Sequence, residues 1–441
     1  MTSDQNPSQR DGASLKPPPP AVFRWAVLVV ISLAMFGNYY VYDAISPIAD
    51  LLRDQLGFSD SRIGTLNAIY SFPNIIMVLI GGIIIDRIGV KKGTLLFGAL
   101  CFIGAVITAS TDKFAVMAAG RLIFGIGAES LIVSVTVGIA RWFKGRELSF
   151  AFGVNLTIAR LGSFLALNSP TWARPAYENW QWPLFITVAF STFCVVGALV
   201  YWVLEDRAEK RYDLGEAGQT DRVEWADLFS FGRSYMWVVL LCVTFYSAVF
   251  PFQTFAIKFF QDTHGVSRET AGFLSSIITL FSMIMTPLFG LWVDRVGRRS
   301  LFMMVGSLML VPVYLMMAYT SVSLVIPMAI MGIAFSMVPA VMWPSVAYLV
   351  EEAKLGTAYG LMTMIQNIGL FGFNWMIGRA NDFSAASATN PGGYALGMWI
   401  FSVLGFLGFF FAFMLRREEM GPHSHGLETI TVKSTREAEG H

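Results

Sequence analysis

The sequence predicts an all-α polytopic membrane protein with twelve transmembrane helices, arranged as two pseudo-symmetric six-helix halves. Composition is the first observation behind this prediction: 55% of the 441 residues are hydrophobic and 14% are charged, whereas soluble domains carry about 25% charged residues. The second is a repeat, because a basic, glycine-containing turn between two apolar runs begins at Gly82 and again at Gly290. Two such copies indicate that the membrane domain arose by duplication.

Twelve apolar runs are long enough to cross a bilayer, which needs about 20 helical residues. They cover 22–46, 62–85, 92–111, 113–140, 147–170, 182–204, 235–260, 269–291, 299–320, 322–350, 355–380 and 394–415. We therefore expect an N-terminal half over 22–204, a linker over 205–234 and a C-terminal half over 235–417. The polar tails, 1–21 and 418–441, are expected to be disordered.

Loop charges predict the orientation. Basic residues follow spans 2, 4, 8 and 12, at Lys91 and Lys92, Lys144 and Arg146, Arg298 and Arg299, and Arg416 and Arg417. Lys and Arg are enriched in cytoplasmic loops, so both termini, both tails and the linker should be cytoplasmic.

A second repeat supports the duplication. The segment from Gly153 to Gly162 in span 5 aligns with the segment from Gly360 to Gly369 in span 11, at an offset of 207. In many secondary transporters, repeats of this kind place the substrate near the membrane midplane, between the halves.

The two repeated turns read Gly-x-x-x-Asp-Arg and resemble the cytoplasmic loop motif of the major facilitator superfamily, a family of secondary transporters. The resemblance implies that superfamily's fold. We expect gating residues in and beside these turns, namely Asp86, Arg87, Arg141, Asp294 and Arg295. Among them, Arg141 is expected to be the partner of Asp86. Arg121 resembles the arginine of an Arg-x-x-x-Gly motif in span 4; gating or proton relay and a packing or snorkelling role both stay open for it.

Glu129 and Arg160 are charged residues in the middle of spans 4 and 5. Counted from the cytoplasmic ends at about 1.5 Å per residue, their depths differ by only ~3 Å. Charges at membrane depth are costly and mostly functional, so we expect a mutual pair or a water-filled cavity. The functional interpretation is a substrate anchor, in which Arg160 binds a carboxylate and Glu129 an ammonium or a proton. The alternative is a structural ion pair.

The remaining site candidates come from the repeat and from aromatic patterning. By the repeat offset, Arg160 corresponds to Asn367, so charges in one half face neutral polar groups in the other. Aromatic and polar residues interleave in spans 1, 2, 7 and 10 and are candidates to line a cavity, although aromatic residues also populate interface belts. These candidates are Tyr40, Tyr70, Tyr246, Gln253 and Trp343, together with Asn38, Tyr39, Tyr42, Asp43 and Phe250 in the same segments. Asp43 and Lys258, near the outer ends of spans 1 and 7, are also candidates for an outer gate, with snorkelling as the alternative.

Several segments, among them Glu129-Ser130 and Gln366-Asn367, resemble the lysosomal dipeptide uniporters of this superfamily. This resemblance implies a carrier of dipeptides or similar small zwitterions by rocker-switch alternating access. It also implies that Glu129 and Arg160 bind the peptide's charged ends and that Asn367 and Trp343 line the same pocket. The N-terminal tail lacks an acidic dileucine signal, so we expect a bacterial inner membrane or plasma membrane rather than a lysosome.

Other classes are less favoured or stay open. No membrane-depth Ser/His pair, paired carboxylate or metal cluster indicates an enzyme, and we expect no cofactor. The net charge of +1 gives no support for nucleic-acid binding. A proton-coupled carrier of small organic anions and a non-transporting receptor stay open, as do proton coupling itself and an accessory subunit. We expect a monomer whose partners are a small-molecule substrate and the lipid bilayer.

Overall fold

The computed structural model describes residues 17, 19–143, 147–212, 231–351, 354–422, 424–429 and 431. The first sixteen residues of the N-terminal tail, the loop residues Lys144 and Arg146, and linker residues 213–230 lie outside the described residues.

The described chain is helical almost throughout. Nine helices come from the N-terminal half: α1 (Ala21–Asp43), α2 (Ala49–Leu56), α3 (Asp60–Ala68), α4 (Ser71–Ile88), α5 (Val90–Ala109), α6 (Phe114–Phe143), α7 (Leu148–Leu167), α8 (Ser169–Trp172) and α9 (Gln181–Arg211). Six come from the C-terminal half: α10 (Arg233–His264), α11 (Arg268–Val296), α12 (Arg299–Tyr319), α13 (Val325–Leu349), α14 (Leu355–Phe383) and α15 (Ala395–Glu419).

The predicted all-α polytopic class is confirmed. However, the criteria of helix length and composition alone do not identify all twelve predicted spans. Within the described ranges, ten helices are long and apolar enough to cross a membrane, or up to eleven if the bent pair Asp60–Met77 and Ile80–Ile88 is one span. Helix α14 is not among them. It is 29 residues long, but three of its buried residues are the asparagines Asn367, Asn374 and Asn381.

The two halves repeat the same turn. Gly89 between α4 and α5 has φ +83°, and Gly297 between α11 and α12 has φ +69°. Glycine adopts such angles without the steric cost that other residues meet. The repeated loop motif therefore has a structural counterpart in each half.

Two faces of the bundle can be defined. Ser234 at the start of α10 donates to Glu419 at the end of α15, at 2.6 Å. We call this side, where α1 also begins, the termini face. The opposite side, where Arg53 of α2 meets Asp262 near the end of α10, is called the far face.

Helix α9 continues past the predicted end of span 6 at residue 204 and runs to Arg211. Its last turns carry Glu205 and Glu209, both of which pair with Arg141 at the end of α6. Arg141 is therefore engaged by α9 in this structure, and its pairing with Asp86 in a conformer closed at the termini face stays a prediction. Charges assigned to the linker instead extend the helix and join it to α6.

The expectation of disorder is wrong for the first part of the C-terminal tail. Residues 424–429, here called the docked tail segment, pack against the termini face of the C-terminal half. Leu427 is fully buried. A Glu428 carboxylate oxygen accepts a hydrogen bond from the backbone N–H of Ser300 at 2.9 Å, in the first turn of α12, and the other accepts one from Arg416 at 3.0 Å.

Candidate functional site

A cavity of about 250 Å³ lies between the two halves. Helices α1, α4, α6 and α7 line it from the N-terminal half, and α10, α13 and α14 from the C-terminal half. The predicted binding residues in its wall include Tyr70, Glu129, Arg160, Tyr246, Trp343 and Asn367. Their contact with a substrate stays a prediction.

Glu129 and Arg160 line this cavity without pairing with each other. Neither side chain forms a hydrogen bond or an ion pair with a residue that the structure describes. The guanidinium carbon of Arg160 lies 5.5 Å from the ring centre of Tyr39 and 5.4 Å from that of Phe335, at distances typical of cation–π contacts. The structural ion pair between spans 4 and 5 is therefore not formed, and a cavity accommodates both charges.

The C-terminal half contributes a neutral wall. The indole N–H of Trp343 donates to the hydroxyl of Tyr246 at 2.9 Å, and Tyr246 stacks on Phe250 with 5.6 Å between ring centres. The side-chain amide of Asn367 donates to the Thr363 carbonyl at 3.0 Å, which leaves its own oxygen as an acceptor. By contrast, the described lining contains three side chains of the Asp, Glu, Lys or Arg type. They are Asp43, Glu129 and Arg160, and all three belong to the N-terminal half.

Two predicted residues lie elsewhere. Tyr40 is 2% exposed and stacks on Phe190 of α9, with 4.1 Å between ring centres, so its expected place in the cavity is wrong. Gln253 lines a smaller cavity of about 10 Å³.

Three other residues of the predicted α1 segment line the cavity, namely Tyr39, Tyr42 and Asp43. Their spacing of i, i+3 and i+4 is that of one helix face. Tyr40 points away because it lies outside this pattern. The spacing was visible in the sequence, but which face of α1 meets the cavity was not.

The model of the Major Facilitator Superfamily matches residues 31–374 and 252–435. The chain belongs to the major facilitator superfamily. It is 35% identical over 364 residues to the lysosomal dipeptide transporter MFSD1 of Mus musculus, which covers 78% of this chain and 77% of that protein. The chain is thus a multi-pass membrane transporter of a small molecule, and the expectation that it is not an enzyme is confirmed.

More distant similarities extend to one further transporter sequence and to one solved structure. A probable sulfoacetate transporter of Cupriavidus necator, SauU, is 23% identical over 375 residues, or 77% of this chain and 83% of that protein. The crystal structure of a bacterial homologue of the human lysosomal transporter Spinster, inward-facing and unoccupied, superposes with a TM-score of 0.76 at 16% identity. The superposition covers 90% of this chain and 98% of that one, and it supports the major facilitator fold alone.

Arg121, the arginine of the superfamily-like span 4 motif, is 2% exposed. Its guanidinium donates to the Val41 carbonyl at 2.8 Å, to the Leu66 carbonyl at 3.1 Å and to the Asn67 side chain at 3.1 Å. Arg121 is therefore buried and connects α6 to α1 and α3 through hydrogen bonds. This supports its packing role, and the snorkelling alternative is wrong.

The other predicted gating residues lie near the termini face. Asp294 pairs with Arg299 at 3.2 Å, while Asp86, Arg87 and Arg295 are exposed. Their part in gating stays a prediction.

Ion pairs between the halves cluster on the far face. Lys258 pairs with Asp60 at 2.7 Å, Arg53 with Asp262 at 2.8 Å, and Arg268 with Asp50 at 2.5 Å. Asp382 on α14 accepts hydrogen bonds from the backbone N–H groups of Asp60 and Ser61, each at 2.8 Å, at a helix N-terminus where a carboxylate is favourable. These contacts join α2 and α3 to α10, α11 and α14.

Proposed function

We propose that this chain carries dipeptides or similar small zwitterions across the membrane. One observation carries the proposal: Glu129 and Arg160 line the same cavity, and neither has an ion-pair partner among the described residues. A guanidinium matches a carboxylate in geometry, and a carboxylate accepts charge-assisted hydrogen bonds from an ammonium. A zwitterion supplies both missing partners and offsets the cost of two unpaired charges at membrane depth.

The rest of the cavity suits the body of such a solute. Tyr246 and Trp343 offer apolar surface and Asn367 an amide, so the wall of the C-terminal half contacts side chain and peptide groups without charge. The volume of about 250 Å³ favours a small solute. The similarity to lysosomal dipeptide transporters supports the same class of substrate.

Transport proceeds, in this proposal, by rocker-switch alternating access, with both termini in the cytoplasm. The loop charges support that orientation, which places the far face outside. The far-face ion pairs then belong to a conformer closed to the outside, and they separate when the halves rock about the substrate.

Uptake of labelled Ala-Ala into proteoliposomes tests the proposal. Wild-type protein is expected to take it up, and Glu129→Gln and Arg160→Ala each to reduce uptake at least about tenfold, because a charge-assisted hydrogen bond contributes about 1.5–3 kcal/mol. Asp112→Asn, an exposed loop residue, is the matched control. Absence of uptake by the wild type, or equal uptake by all four proteins, contradicts the proposal. Runs with and without a pH gradient separate proton symport from uniport.

A second candidate function is proton-coupled transport of small organic anions, with Arg160 binding the anion and Glu129 the proton. The similarity to a probable sulfoacetate transporter favours it. N-acetyl-Ala-Ala, which has a carboxylate but no ammonium, distinguishes the two. Uptake of this anion at the rate of Ala-Ala supports the second function, whereas selective uptake of Ala-Ala supports the first.

A further inference from the structure

A series of side-chain hydrogen bonds crosses between the two halves beside the cavity. Asn67 on α3 donates from its amide to the hydroxyl of Thr254 on α10 at 3.1 Å. That hydroxyl donates to the side-chain oxygen of Asn374 on α14 at 2.7 Å. These three side chains, here called the polar bridge, join one helix of the N-terminal half to two helices of the C-terminal half.

Arg121 sets the direction of the hydrogen bonds in the polar bridge. Its guanidinium donates to the side-chain oxygen of Asn67 at 3.1 Å, and a guanidinium has donors only. The Asn67 amide therefore presents its NH2 group to Thr254, whose single hydroxyl hydrogen is left for Asn374. The NH2 group of Asn374 donates in turn to the Leu370 carbonyl at 3.0 Å. Each member of the bridge thus has a partner in the closed interface.

The backbones around the polar bridge are in contact. All three members of the bridge are buried. A Cβ at Gly64 on α3 would lie 2.4 Å from the carbonyl oxygen of Asn374, and a Cβ at Gly378 on α14 would lie 2.4 Å from that of Asp60. Because α3 and α14 approach each other this closely, a solute cannot pass between them while the interface is closed.

The polar bridge lies between the main cavity and the far-face ion pairs. Its three members line the smaller cavity, of about 10 Å³, which shares part of its lining with the main cavity. On α10, Lys258 follows Thr254 by one helical turn, and on α3, Asp60 precedes Asn67 by about two turns. A solute that leaves the main cavity toward the far face therefore meets the polar bridge first and the pair of Lys258 with Asp60 second.

Uncharged hydrogen bonds suit an interface that opens and closes. Each such bond adds only modestly to the stability of the closed interface, because water replaces the lost partner when the halves separate. A buried polar group that loses its partner while the interface stays closed is, by contrast, costly. Removal of one member of the bridge should therefore destabilise the closed conformer and leave the open conformer unaffected.

We propose that Asn67, Thr254 and Asn374 form an inner gate of the cavity, a barrier that has to open in addition to the far-face ion pairs. This inference rests on the alternating access of the proposed function, but not on the identity of the substrate. The inner gate differs from the ion pairs because its closure depends on uncharged groups and on backbone contact.

Thr254→Val tests the inner gate, because valine keeps the shape of threonine and lacks the hydroxyl. The reporter is Thr363→Cys, in the wall of the main cavity, which is labelled by a membrane-impermeant maleimide in proteoliposomes of known orientation. We expect labelling from the far face to become at least about fivefold faster. Labelling from the termini face should become slower, since alternating access opens only one face at a time.

Thr244→Val is the matched control. Thr244 lies on the same helix and is buried, but its hydroxyl donates to the Leu240 and Leu241 carbonyls of its own helix, at 2.9 Å and 3.1 Å. This variant should label at the wild-type rate from both faces. The protein without the reporter gives the background from Cys101, Cys194 and Cys242, which are buried.

Asn374→Ala is a second variant, which removes the acceptor of the Thr254 hydroxyl. It should change both labelling rates in the same directions as Thr254→Val. Because the two side chains act through one hydrogen bond, the double variant should change the far-face rate by less than the product of the two single effects. Fully multiplicative effects would show that the two side chains act independently, and would overturn the inference.

The outcomes separate the inner gate from the proposed function. Faster labelling of the Thr254→Val protein from both faces shows general loosening and overturns the inference, as do rates equal to those of the Thr244→Val control. Lys258→Met, measured with the same reporter, is the reference for alternating access. If it speeds far-face labelling and Thr254→Val does not, the inner gate is excluded and the proposed function stands. If neither variant changes the rates, both are contradicted.

Discussion

Lys258 on α10 reaches across the interface between the halves and donates to both carboxylate oxygens of Asp60 on α3, each at 2.7 Å. The two side chains are 0% and 4% exposed. Asn381 on α14 adds a hydrogen bond to Asp60 at 3.1 Å. This buried group joins the two halves at the far face, and it has to come apart wherever the halves separate there.

Lys258→Met is expected to favour the conformer that is open at the far face. The change leaves Asp60 without its counter-charge, and breaking a buried pair in this way costs about 3–5 kcal/mol. The readout is the labelling rate of Gln253→Cys, in the wall of the smaller cavity, by a maleimide added from the far face. We expect labelling to become several-fold faster.

The control for this prediction is Arg174→Ala. Arg174 pairs with Glu269 across the same face at 2.7 Å, but its side chain is 78% exposed, and exposed pairs contribute about 0–1 kcal/mol. Equal labelling rates for the Lys258→Met and Arg174→Ala proteins would show that the buried pair does not hold the far face closed.

Arg160→Lys is expected to lower kcat/KM for dipeptide uptake by about tenfold or more, although the charge is kept. Lysine lacks the planar fork that binds a carboxylate through two hydrogen bonds. Arg62→Lys is the matched control, because Arg62 also lies over aromatic rings but outside the cavity. If uptake by the Arg160→Lys protein equals that of the control, charge alone is enough at this position.

Gly104→Ala is expected to destabilise the packing of α5 against α6. A Cβ at Gly104 would lie 2.6 Å from the backbone nitrogen of Phe124 and 2.7 Å from the carbonyl oxygen of Gly120, and overpacking costs about 1–3 kcal/mol. Thermal unfolding in detergent should show a lower Tm. Gly153→Ala is the control, because a Cβ at Gly153 would meet no neighbouring atom within 4 Å; equal Tm values for the two variants would contradict the prediction.

Removal of the docked tail segment is expected to lower Tm. Truncation after Pro422 deletes the buried Leu427 and the hydrogen bond from Ser300 to Glu428, and burial of a leucine side chain alone contributes about 1.5–3 kcal/mol. Truncation after Thr431 keeps both and is the control. Equal Tm values for the two shortened chains would show that the docked tail segment contributes nothing to stability.

The polytopic helical class and the mid-membrane charges followed from the sequence because both depend on local properties. Hydropathy is read within one run of residues, and Glu129 and Arg160 each interrupt such a run. The rotation of a helix about its own axis, by contrast, does not follow from such local properties. Tyr39 and Tyr40 are equally aromatic, and only the packing of α1 against its neighbours decides which of them faces the cavity.

The far-face pairs were missed for another reason. Lys258 and Asp60 are separated by 198 residues, so no local pattern connects them. Likewise, the pairs of Arg141 with Glu205 and Glu209 form because α9 continues as a helix beyond the predicted end of its span. Pairing between distant segments requires the tertiary arrangement.

All three Asp, Glu and Arg side chains of the described cavity wall belong to the N-terminal half. Under the proposed function, one copy of the duplicated unit then retains the groups that bind the two charges of a zwitterion. The other copy, which contributes Trp343 and Asn367, can diverge by substitutions between uncharged residues that leave those groups untouched. Relatives with new substrates should differ first in the second copy, and the anchoring chemistry of the first should persist through such changes.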